Sequence, residues 1–180
     1  MAAMSWIRNL LPVLALLAGA AAPACAQTAG CAGFKEAMVR AAGDLKPEFI
    51  KPLVVSRGAG AGLDNFDLVT RARIDGVLRC KADAFVGFEA KITMPADGPL
   101  LANFDRVQEA ALVSALKWAP SRAEATTRRM ASDAADYLRG SQERGDVYVS
   151  GKVEEHVGGG VDIGLLWTLT ERNFIILTGQ

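Results

Sequence analysis

The sequence predicts an α+β domain: an antiparallel sheet of about five strands with a helical pair packed on one face. Three observations predict it. From Phe66 to Met94, and again from Asp146 to Thr178, apolar and polar residues alternate with the period of two that marks half-buried strands. Between those stretches, Leu100–Trp118 and Ser121–Leu138 carry apolar residues at helical spacing. Glycine, proline and charged residues punctuate the runs where turns are required.

Residues 1–26 read as a secretory signal peptide. Arg8 supplies the positive start, Leu10–Ala22 the apolar centre, and Ala24-Cys25-Ala26 the small-residue cleavage site, so Gln27 begins the mature chain. The apolar run is shorter than the roughly 20 residues of a membrane helix, and no later segment could span. The alternative is a lipoprotein anchored at Cys25. Ala22-Pro23-Ala24 lacks the large aliphatic residue such a site carries. Residues 27–180 form a single domain of ordinary size. Cleavage after Ala26 removes Cys25, leaving Cys31 and Cys80, and an even pair in an exported chain predicts one disulfide.

Taken in order, Cys31–Ala42 predicts a helix with Phe34, Met38 and Ala41 on its apolar face and Gly43 as its stop. Pro47 and Pro52 impose extended or turn backbone around Phe49-Ile50, and Leu53–Val55 suggests a short edge strand. Gly58–Gly62 resembles neither a dinucleotide fingerprint nor a P-loop, because the spacing is GxGxG and no GK[ST] follows. It reads as a flexible loop.

Phe66–Cys80 places Phe66, Leu68, Ile74, Leu78 and Cys80 on even positions, and Ala84–Met94 repeats that parity. A hairpin keeping both sets on one face needs an odd loop, near Lys81–Asp83. Centred there, the loop sets Asp75 opposite Glu89, an unfavourable pair that a shift of the centre by one residue either way removes, so the register stays open. A turn at Asp75-Gly76 is rejected because it would place Leu78 opposite Arg73.

After the helix Leu100–Trp118, Ser121 and Glu124 form an S-x-x-E capping box for a second helix. Its apolar face is Met130, Ala134, Tyr137 and Leu138, with Gly140 as its stop. The link Ser141–Gly145 leads to a closing three-strand meander. A loop at Val157–Gly159 pairs Val149 with Trp167 inside and Glu154 with Asp162 outside. A turn at Glu171-Arg172 brings Trp167 to Ile176 and Leu166 to Leu177. Leu166, Ile175 and Leu177 then fall on the outer face. The N-terminal helix is expected to cover them; left bare, they form an apolar patch for a partner.

The chemistry is constrained chiefly by what one histidine excludes: a histidine dyad or a multi-histidine metal site cannot form within the chain. GxSxG, Ser-x-x-Lys and CxxC motifs are missing as well. Twenty basic against twenty acidic residues, with no basic run, argues against nucleic acid as the main partner. The best cluster is Glu154, His156 and Asp162 on the outer face of the last hairpin. Two carboxylates and an imidazole can bind a divalent cation weakly or share a proton. A solvated strand face, with Lys152 neutralising an acid, explains the same residues, and no metal or cofactor is assigned. Trp167 and Tyr148 read as packing residues, and Arg128-Arg129 as an exposed helix face. The sequence thus points to an exported, non-catalytic binding, inhibitor or accessory protein of the periplasm or exterior. Its partner would be another envelope protein, met through the tip Glu154–Gly160 or the patch at Leu166, Ile175 and Leu177. The alternative is a small hydrolase-like or weak metal-binding protein using Glu154, His156 and Asp162.

Overall fold

The computed structural model describes residues 30–51 and 62–179. The signal segment with Cys25, the Leu53–Val55 strand and all of the glycine cluster except Gly62 lie outside the described residues. Within them the chain is α+β, with three α-helices and one seven-stranded antiparallel sheet.

Helix α1 (Cys31–Ala42) leads through a short 3-10 turn to β1 (Glu48–Ile50), β2 (Leu63–Val69), β3 (Asp75–Lys81) and β4 (Ala84–Thr93). Helices α2 (Gly98–Leu116) and α3 (Pro120–Arg144) follow, and β5 (Ser150–His156), β6 (Val161–Thr168) and β7 (Glu171–Thr178) close the chain. The strand order is β1-β2-β3-β4-β7-β6-β5, so the last strand pairs with β4 at the middle and the two hairpin systems join there.

Seven strands replace the expected five for two reasons. Glu48–Ile50, bracketed by prolines in sequence, pairs with β2 as an edge strand. Phe66–Cys80 is two strands rather than one, broken between Thr70 and Ile74, where Arg73 turns at φ 55° and the Thr70 hydroxyl accepts the Ile74 N–H at 3.2 Å. That turn holds an odd number of residues, so Leu68 and Leu78 stay on the same face across it. A hairpin of odd loop keeps parity just as an unbroken strand does, and alternation alone cannot tell them apart.

The β3–β4 loop is the two-residue turn Ala82-Asp83, not three residues. Parity is recovered by a bulge: Cys80 pairs with Phe85, but Arg79 pairs with Gly87. Phe85, at an odd position, therefore joins Phe88, Ala90 and Ile92 in the core. Beyond the bulge the register sets Asp75 opposite Lys91, avoiding the unfavourable acid pair, and Arg79 reaches Glu89 at 2.8 Å.

Both C-terminal registers differ from expectation while keeping their parity. Gly151, not Val149, faces Trp167, and the β6–β7 turn is Leu169-Thr170, so Trp167 meets Arg172 and Leu165 meets Phe174. Val147 and Val149 precede β5 instead of belonging to it. The tip turns on Gly158, Gly159 and Gly160, all at positive φ, a conformation open to glycine at little cost.

Helix α1 buries Cys31, Phe34, Met38 and Ala42, so Ala42 rather than Ala41 completes its stripe, and Gly43 ends it at φ 57°. The Phe34 ring packs against Phe85 and Phe88, with centroids 5.0 and 5.3 Å away. Asp97 caps α2, its carboxylate accepting the Leu100 N–H at 2.8 Å. Helix α3 starts on Pro120 with Ala119 as its N-cap, and no side-chain cap forms, so the Ser121–Glu124 box is not used. Pro120 occupies the position that suits it best, where no N–H is needed, and this moves Ser121 inside the helix. Gly140 is helical, and the helix runs to Arg144, stopping on Gly145 at φ 68°. Tyr137, expected in the core, is 60 % exposed.

Cys31 and Cys80 form the expected disulfide, tying the first residue of α1 to β3 with Cα atoms 6.2 Å apart. Among the described residues no helix is long and apolar enough to cross a membrane.

Candidate functional site

His156 and Asp162 lie directly opposite one another on β5 and β6, and the imidazole Nδ1 stands 2.8 Å from Asp162 Oδ1. Glu154 does not join them. It sits opposite Gly164 and pairs with Lys152 at 2.8 Å, as the solvated reading expected. The side chains of His156 and Asp162 are 64 % and 59 % exposed. Water competes for such a pair from most directions, and its Coulomb attraction is weak. Among the described residues, no group of three His, Cys, Asp or Glu can hold a metal ion.

The outer apolar residues have a clearer arrangement. Helix α1 does not cover them, because its apolar stripe is spent on Phe85 and Phe88. Leu166 is 38 % exposed and Leu177 40 %, with Ile175 half-buried between them. Ile175 pairs with Gly164 and Leu177 with Gly87. A Cβ added at Gly164 would stand 3.1 Å from an Ile175 methyl, and one at Gly87 would stand 3.0 Å from a Leu177 methyl. The two aliphatic side chains thus lie across bare glycine backbone on neighbouring strands. Gly87 and Gly164 carry no side chain and so leave the room that Leu177 and Ile175 occupy, while Lys152, Glu89 and Asp162 stand opposite Leu166, Ile175 and Leu177 at the border of the patch.

Two features were missed in the sequence. Val147 and Tyr148, expected in a strand, are 90 % and 87 % exposed in the link that enters β5. Alternation in Asp146–Val149 imitated a strand, but Ser141 and Asp146 bind each other at 2.9 Å and hold the link at the end of α3 instead. The second feature is a cleft of about 210 Å³ between α2 and α3, lined by Asp105, Glu109, Glu124, Thr127, Arg128 and Ala131. Burial pushes the Asp105 carboxyl above its ordinary range. Burial first, and then the charges of Glu124 and Asp105, do the same to Glu109. The sequence signal was the Asp105/Glu109 pair at i,i+4, a like-charge spacing that weakens a helix.

No family model matches the chain, and no curated protein or solved structure matches it either.

Proposed function

We propose that this is an exported, non-catalytic binding or accessory protein that meets a protein partner of its own compartment through the face of the sheet bearing Leu166, Ile175 and Leu177. The observation that carries the reading is the apolar patch itself, exposed on strands next to the middle of the sheet. The helices stack on the opposite face. Supporting that, Phe34 of α1 packs on Phe88, the α3 backbone approaches Gly151, and Arg129 of α3 binds Glu155 at 2.6 Å. All three strand residues belong to the face opposite the patch. Among the described residues no helix covers this face, and an exposed aliphatic cluster on such a face supports its reading as an interaction surface. The tip Glu154–Gly160 adjoins it through Asp162, which pairs with both His156 and Leu177. Export rests on the N-terminal segment and is supported by the Cys31–Cys80 bridge, which suits an oxidising compartment.

The test is a pair of surface changes, Leu166→Lys and Leu177→Lys, in the full chain. Stability should move by less than about 1 kcal/mol, as for exposed positions. Co-purification of the partner from envelope extract should fall at the same time. Retention of the partner by the folded double variant contradicts the reading. The hydrolase-like alternative has one supporting observation, the His156–Asp162 contact, which could orient an imidazole as a general base.

A further inference from the structure

We propose that the protein pairs with a second copy of itself through the free edge of β5, the two strands running antiparallel so that two sheets become one. This surface is separate from the apolar patch and stands on three observations.

The first is an edge with unpaired backbone. Among the described residues β5 ends the sheet, and no strand lies beyond it. At the hairpin the Val157 N–H donates to the Val161 carbonyl at 2.9 Å, so Val157 faces β6. Directions alternate along a strand. Val153 and Glu155 therefore face β6 as well, while Lys152, Glu154 and His156 turn their N–H and C=O groups outward. Ser150 keeps the same phase, its N–H leaving the sheet for the Ser141 hydroxyl at 3.3 Å. Such a row of donors and acceptors is a template for another strand, and a proline, a bulge or a very short strand usually blunts it. β5 has seven residues, no proline and an unbroken register with β6. The opposite edge, β1, has only three residues. Helix α3 reaches β5 from the inner face, at Gly151 and Glu155.

The second observation is the order of charges. Charged side chains also guard edges, yet those of β5 are self-complementary. Outward residues must meet outward residues, which leaves few registers. A two-fold axis centred on Lys152 sets that cation against its own copy, and one centred on Glu154 does the same with an acid, each unfavourable. Centring on Val153 sets Lys152 of each copy opposite Glu154 of the other. Both side chains are free to reach across, being 61 % and 67 % exposed. They already bind each other along one strand at 2.8 Å, and pairing closes them into a ring of alternating charges.

The third observation is the fit along the strand. The same register overlaps all of β5, from Ser150 against His156 to His156 against Ser150. On the inner face the half-buried Val153 meets its own copy at the axis. Glu155 meets Gly151, which has no side chain to disturb the contact of Glu155 with Arg129. The axis is normal to the sheet, so the helical layers lie side by side on one face and both apolar patches open on the other.

The test is sedimentation equilibrium on protein isolated after expression of the full chain, from about 1 μM to about 1 mM. A reversible monomer–dimer equilibrium is expected. Lys152→Glu and Glu154→Lys should each weaken it by about tenfold or more, since both cross-strand pairs of the dimer turn repulsive. The decisive arm mixes the two variants. One then presents only acids at these positions and the other only cations, so the mixture should dimerise at least as tightly as the natural chain. A role confined to the Lys152–Glu154 contact within one strand cannot give that rescue. Leu177→Lys, two strands from the edge, should leave the equilibrium unchanged. A protein monomeric throughout the range overturns the proposal. So does a dimer indifferent to both charge reversals, a mixture no tighter than either variant alone, or a dimer lost in Leu177→Lys.

Discussion

At the scale of single residues, His156 and Glu154 show how far a sequence cluster can be from a site. The three side chains were placed on one outer face, and they are on one outer face. The register, however, differs by two residues from the one derived for a loop at Val157–Gly159, so Asp162 meets His156 and Glu154 goes to Lys152. A shift of two preserves every inside-or-outside assignment and changes every neighbour. Replacing Glu154, His156 or Asp162 by alanine should change stability by under about 0.5 kcal/mol, as expected of exposed groups. Added Zn²⁺ or Mn²⁺ should leave the melting temperature flat. A saturable metal-dependent rise that disappears in His156→Ala would instead put metal chemistry at this hairpin, because a ligand that binds only the folded state stabilises it.

At the scale of elements, two joints hold helices to the sheet, and they differ in how visible they were. The disulfide was legible, since two cysteines remain after the predicted cleavage and the compartment favours their pairing. It closes a separation of 49 residues, for which the chain-entropy relation gives about 4 kcal/mol. Replacing Cys31 and Cys80 together by alanine should lower unfolding stability by roughly that amount, between about 2 and 5 kcal/mol, in denaturant titration. An unchanged midpoint would mean that the reduced chain is already constrained. The other joint is the close approach of α3 to β5 at Gly151. A Cβ there would overlap the Ala134 carbonyl, backbone against backbone, and also press on the backbone at Leu138. Neither side can rotate away. Gly151→Ala should therefore cost about 3 kcal/mol, at the upper end of overpacking, measured as a fall in the denaturation midpoint. A loss under about 1 kcal/mol would show that helix and strand slide apart easily. Nothing in the sequence marks Gly151 as different from any glycine in a strand, because its constraint comes from a helix elsewhere in the chain.

At the scale of the whole molecule, alternation and helical spacing were enough for the class of fold, the antiparallel sheet and the order of its parts. They were not enough for the number of strands. The Thr70–Ile74 turn preserves parity and so leaves no trace in the pattern, and Glu48–Ile50 is too short to show a period at all. The capping box failed for a related reason. Ser121 and Glu124 have the right spacing, but Pro120 is the better first residue of a helix and moves the start two places earlier, with Ala119 rather than Ser121 as N-cap. The outer apolar residues were found in the sequence. Their arrangement as a patch was not, because it depends on Gly87 and Gly164 lying beside Leu177 and Ile175 through pairings that join distant segments.

The central claim is that the sheet face, rather than the helical layer, is where the protein meets its partner. Photo-cross-linking in the native compartment tests it most directly, with a photoreactive residue placed singly at Leu166, Leu177 or the exposed helical position Arg139. Cross-links to a single protein from positions 166 and 177, and none from 139, are the predicted result. Cross-links confined to position 139, or none from either sheet position in folded protein, would contradict the account.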